Sequence, residues 1–171
     1  MALALFLDPV TAAFTAYLAA AITAITWSDF RSFIVPDVLS LPAIPVGFAA
    51  NILVLHDGWQ AGLMQSLWGA VLGGGALYMV RAIYFRLRRI EGLGLGDVKL
   101  GAVAGAWLGP ELLAPACLAA TISALLAVVL LGLINPERFA QRLQIPFGSF
   151  IAPAILLFWA FRLWELAAPA S

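Results

Sequence analysis

Charge is what this chain has least of. Only 11% of its 171 residues are Asp, Glu, Lys or Arg, against about a quarter in ordinary soluble domains. So few charges cannot clothe a water-exposed globule of this length. Nine Lys/Arg balance nine Asp/Glu, so the total carries no sign of a nucleic-acid partner, and none is expected. Cysteine is single. Cys117 lies within LLAPACLAATISALL, so no disulfide or paired-cysteine metal site can form within the chain. An inert thiol facing lipid or a neighbouring helix is expected. No Lys or Arg precedes Arg31, so the cationic region of a signal peptide is missing and the first apolar segment is expected to stay as a membrane helix. No repeat of about 20–50 residues is found, which argues against an internally duplicated transporter.

Apolar residues fill the space that charge leaves. They make up 64% of the chain, with a mean hydropathy of +1.02. The expectation is an all-α, polytopic membrane protein, one domain over residues 1–171. In lipid every backbone polar group must be satisfied within the protein, and helices do this segment by segment. A span needs ~20 mostly apolar residues. Val10–Trp27, Leu39–Leu55, Leu63–Leu87, Leu112–Ile134 and Phe147–Leu166 qualify. A further segment opens at Asp97, but Pro110 follows only 13 residues later. That reach is about 20 Å against a hydrocarbon core of ~30 Å.

Charge distribution decides in favour of a bundle of about six helices. With six spans, Arg31, Arg86, Arg88, Arg89, Lys99, Arg138 and Arg142 gather at one membrane face, while the loops at HDGWQ and GPE contain no Lys or Arg. Excess Lys and Arg marks the cytoplasmic side. Trp27, Trp59, Trp107 and Trp164 lie near the expected helix ends, where an indole can anchor at the interface. The sole histidine, His56, falls in a turn on the opposite face.

Three acids lie elsewhere than in solvated loops. Asp29 closes the first helix, Asp37 opens the second and Asp97 opens the fourth, all at the cytoplasmic end. Asp37 and Asp97 are well placed to cap helix N-termini. Asp29 lies at a helix C-terminus, where a negative charge opposes the macrodipole. Ionisable groups inside a bundle are costly and usually functional. Two neighbouring carboxylates share a proton. One can then take a proton from water while the other donates to a peptide carbonyl, with no metal and no cofactor required. The stripe Gly101, Gly105, Gly109 allows close helix approach and is expected to hold Asp97 near another helix, the one ending in Asp29. Gly94 and Gly96 are expected to give a substrate backbone close access and to permit positive φ.

DFRSFIVPD at 29–37 and GLGLGDVKL at 92–100 resemble the two signature segments of the type IV prepilin peptidases, a bacterial GxGD family of aspartyl proteases, and IPFGSF at 145–150 resembles a third. Order and spacing agree from Trp27 to Ala154. The resemblance implies that Asp29 and Asp97 are the catalytic pair, supported by Gly94, Gly96, Lys99, Pro146 and Gly148. It implies a membrane-embedded substrate, a prepilin or pseudopilin whose short basic leader is cut at the cytoplasmic edge of the inner membrane. Glu91 is a candidate to attract that leader. Longer family members carry a region with paired cysteines before the first helix and also N-methylate their product, so methylation is not expected of this chain. Two rival readings remain, a small proton-coupled transporter and a non-catalytic component of pilus assembly.

Overall fold

The computed structural model describes residues 8–54, 58–90, 93–134 and 147–167. Five helices account for nearly all of them: α1 Pro9–Ser32, α2 Asp37–Val54, α3 Trp59–Arg88, α4 Leu95–Ile134 and α5 Gly148–Ala167. Each is long and apolar enough to cross a membrane, so this is a multi-pass membrane protein.

Local chemistry sets the ends. The Asp8 carboxylate caps α1, accepting from the Thr11 backbone N–H at 3.0 Å and the Thr11 hydroxyl at 3.1 Å, and Pro9 fills the first turn, where no N–H is needed. The helix runs beyond Trp27 to Ser32 and stops where Phe33 turns left-handed, φ 53°. Phe33 N–H then donates to the Asp29 carbonyl at 2.9 Å. Asp29 therefore sits within the last turn of α1. The Ser28 hydroxyl donates to the Ile34 carbonyl at 2.9 Å, folding the short link back towards α2.

α4 is two limbs. At Gly109 the backbone leaves helical geometry, with φ 70° and ψ 176°, and Pro110 cannot continue the ladder. Its limbs span 95–108 and 110–134. A Cβ at Gly73 of α3 would lie 2.1 Å from the Gly101 carbonyl oxygen and 3.3 Å from Leu113 Cδ1. A straight helix would separate those two positions by about 18 Å. The chain therefore doubles back at Gly109, and the short segment and its successor form separate arms of a hairpin. Among the described residues six helical segments result, in line with the bundle of about six expected from the sequence.

The first limb of α4 is the centre of the molecule. Leu100, Gly101 and every residue from Val103 to Gly109 are buried. α2, α3 and α5 pack around α4, and α1 closes on α2 and α5. The glycine stripe faces α3, a correction to the expectation that it meets the helix ending in Asp29. Gly105 lies against Gly69, and Gly101 against Gly73, because α3 carries its own small residues at the same four-residue spacing and the two smooth faces fit together. Trp107 is a second correction. It is fully buried, its indole N–H donates to the Ala43 carbonyl at 2.8 Å, and its ring meets Trp159 edge-on at 5.0 Å. Trp27, Trp59 and Trp164 are exposed, as interfacial anchors require.

Breaking a helix inside a bundle orphans its last carbonyls. Two polar side chains meet them. Asn51 of α2 donates through Nδ2 to Ala106 O at 2.6 Å and Trp107 O at 3.2 Å. Arg162 of α5 donates through Nη1 to Leu108 O at 2.9 Å and Trp107 O at 3.4 Å. Both are buried, and the Arg162 cation suits the negative end of the limb.

Candidate active site

The site is assembled where α1 ends and where α2, α4 and α5 begin. Asp29 lies in the last turn of α1 and is 5% exposed. An ionised carboxylate at that depth needs donors, and they come from α5. Ser149 donates twice to Asp29 Oδ2, from its backbone N–H at 2.6 Å and its hydroxyl at 2.9 Å. The backbone bond uses one of the unpaired N–H groups of a helix's first turn, so Asp29 caps α5 from another helix. The conflict with the α1 dipole is offset by the favourable end of α5.

Gly148 explains why this contact is so close. A Cβ there would lie 2.8 Å from Asp29 Oδ2 and 3.1 Å from Leu100 Cδ1. Leu100 is one turn beyond Asp97 on α4, so Gly148 occupies the seam between the Asp29 carboxylate and the head of α4. Asp97 is half-buried in the first turn of α4. Its Oδ2 lies beside Gly94, 3.7 Å from where a Cβ there would stand, and its electrostatic surroundings include Asp29. Two acids 68 positions apart in the sequence thus share one end of the bundle.

The supporting residues divide. Gly96 packs against Val35, to which an added Cβ would come within 2.9 Å, so it lets the head of α4 meet the α1–α2 link. Gly94 has room for a side chain. Among the described glycines positive φ belongs to Gly109, which corrects the expectation that Gly94 and Gly96 are there for it. Lys99 forms an ion pair with Asp37, tying the head of α4 to the head of α2, and this contact gives Asp37 a role beyond capping. Arg31 stacks over Trp27 at 4.6 Å, and Arg81 donates to the Leu93 carbonyl at 2.7 Å. Glu91, His56, Arg138, Arg142 and Pro146 lie outside the described residues.

Sequence reasoning missed Ser149, Asn51 and Arg162. Ser149 was in view inside IPFGSF, but nothing in its spacing pairs it with Asp29. Asn51 and Arg162 did carry a signal, since a lone polar residue in a membrane segment usually has a buried partner.

Comparison with known proteins places the chain in a family. Residues 16–134 match the model of the type IV leader peptidase family. The chain belongs to that family. It is similar to the prepilin leader peptidase/N-methyltransferase of Burkholderia pseudomallei, with 38% identity over 154 residues, 88% of this chain and 47% of that protein. The protein of the same description from Pseudomonas aeruginosa is 36% identical over 151 residues, 82% of this chain and 50% of that one. The one from Escherichia coli K12 is 32% identical over 173 residues, 95% of this chain and 69% of that one. The chain spans about half the length of the first two relatives. No solved structure matches it. The family match contains both Asp29 and Asp97 and ends before Ser149.

Proposed function

We propose that the chain is a membrane aspartic endopeptidase that removes the short basic leader from type IV or Flp-type prepilins and pseudopilins, with Asp29 and Asp97 as its catalytic pair. The observation that carries this reading is the burial of Asp29 at the same end of the bundle as Asp97, in a chain of the leader peptidase family. A proton-coupled transporter would use the two acids as a relay, but transporters usually carry internal repeats and place such sites at the membrane midplane, and a non-catalytic assembly component needs no acidic pair.

The chemistry follows from the pair. One carboxylate takes a proton from water as the oxygen attacks the scissile carbonyl carbon, and the other donates its proton to the carbonyl oxygen. Collapse of the tetrahedral diol breaks the C–N bond as the first acid passes its proton to the leaving nitrogen and a diol hydroxyl returns a proton to the second acid. Both acids end as they began, so neither metal nor cofactor is consumed. Arg31, Arg81, Arg86, Arg88 and Lys99 lie at the end of the bundle that holds the pair, and excess cations mark the cytoplasmic side. The reading therefore locates cleavage at the cytoplasmic face of the inner membrane, where a leader leaves its apolar helix.

Co-expression with a type IV prepilin tests it, with leader loss read by mass spectrometry. The parent chain should yield trimmed pilin, whereas Asp29→Asn and Asp97→Asn should each leave the precursor intact at normal membrane levels. Trimming by either Asn variant at the parental rate would overturn the reading.

A further inference from the structure

The mechanism above leaves open which acid is the base, and the environments of the two differ. Asp29 is nearly enclosed and accepts two hydrogen bonds from one residue, both on Oδ2. One donor is a first-turn N–H of α5, which brings the positive end of that helix's dipole with it. The Ser149 hydroxyl also lies 3.4 Å from the Thr26 carbonyl, one turn back on α1, so this side chain is held between two acceptors of the same helix. Hydrogen bonds donated to a carboxylate favour its ionised form. Asp97 is half-buried, at the head of its own helix and beside the Asp29 charge. Like charges in proximity cannot both persist cheaply, so the proton belongs on the acid with the weaker donor set.

We infer that Ser149 is a positioning residue that holds the Asp29 carboxylate ionised, making Asp29 the general base of the pair and Asp97 the proton donor. This rests on the dyad reading above. Oδ2 is engaged by Ser149, so Oδ1 is the oxygen that receives the proton from water. Asp97 gives its proton to the scissile carbonyl oxygen. The proton on Asp29 then goes to the leaving nitrogen, and the collapsing diol returns one to Asp97.

Among the described residues, the other charged groups near Asp29 do not supply this bias. α5 brings no charge to this end, because its Arg162 and Glu165 lie in its last two turns. Lys99 of α4 and Asp37 of α2 are paired with each other. Arg31, on Asp29's own helix, stacks over Trp27. Among the described residues, that leaves Asp97 as the charge acting on Asp29, and Ser149 as the donor that sets which of them ionises.

The experiment is a pH profile of prepilin cleavage by the full chain in detergent, comparing the parent with Ser149→Ala, Ser149→Thr and Asp29→Asn. Ser149→Ala retains the backbone N–H and removes one donor to a charged group. Its acidic limb should move towards neutral pH by about 1 unit. Ser149→Thr keeps the hydroxyl and should return the limb to the parental position. A Ser149→Ala profile that overlies the parent's, or one lowered equally at every pH, would overturn the assignment while inactive Asp29→Asn leaves the dyad intact. Parental cleavage by Asp29→Asn would sink the dyad itself.

Discussion

Gly69 of α3 and Gly105 of α4 bring two helix backbones into direct contact. A Cβ on Gly105 would stand 1.9 Å from the Gly69 carbonyl oxygen, and one on Gly69 would stand 2.1 Å from the Gly105 carbonyl oxygen. The contact bears on the proposed chemistry because Asp97 rides two turns above Gly105 on the same limb. Where α4 is pressed against α3 decides where that carboxylate sits relative to Asp29.

Gly105→Ala should therefore damage both fold and site. The opposing atom is backbone and cannot swing aside, so the limb must shift, at a cost of about 1–3 kcal/mol or more. Thermal unfolding in detergent should show a lower Tm than the parent, with prepilin cleavage falling alongside. Gly75→Ala, at a position with open space around it, is the control and should leave both unchanged.

Gly148→Ala separates geometry from stability. The added methyl would meet Asp29 Oδ2 at 2.8 Å, forcing the carboxylate off its Ser149 donors. Displacements of about 1 Å at a reacting group can cost about 10²-fold in rate. The expected result is a comparable fall in kcat, with membrane insertion retained and KM little changed. Cleavage kinetics on the purified variant check it.

The buried cap of the broken limb gives a third expectation. Asn51→Leu leaves the Ala106 carbonyl without its 2.6 Å donor, and Arg162→Met strips Leu108 of its own. Hydrogen bonds of this kind inside membranes contribute about 0.6–1.7 kcal/mol, and a cation at a helix C-terminus adds to that. Each variant should lower Tm, and the double variant should lower it less than additively, since both side chains serve the Trp107 carbonyl. A double-mutant cycle of melting curves measures the coupling.

The Lys99–Asp37 pair should be worth far less. Its side chains are 29% and 59% exposed, and exposed ion pairs typically contribute under about 1 kcal/mol. Lys99→Gln should shift Tm slightly, and exchanging the two residues as Lys99→Asp with Asp37→Lys should restore most of the loss. Cleavage should survive in both variants if the pair only ties α4 to α2.

Much of this protein was written along the chain. Hydropathy and the one-sided placement of Lys and Arg determined a polytopic helical bundle, because lipid tolerates neither unpaired backbone nor stray charge. The same alternation of spans carried Asp29, Asp37 and Asp97 to one end before any contact was known, since each span reverses direction. Gly109 followed by Pro110 marked the break in α4, where the helical ladder cannot continue. What the sequence left undetermined was partnership across space. The stripe of Gly101 and Gly105 has a face but no address. It settles on α3 because Gly69 and Gly73 present a matching surface there. Trp107 reads as an interfacial anchor until its limb proves to be the centre of the bundle. Asn51 and Arg162 have a purpose only once the hairpin at Gly109 exposes carbonyls to them. Ser149 is 120 residues from Asp29, and only the packing of α5 on α1 makes it the donor that holds the carboxylate. Local sequence sets which segments become helices and which ends carry charge, whereas hydrogen bonds between segments depend on distances that exist only after those helices have packed.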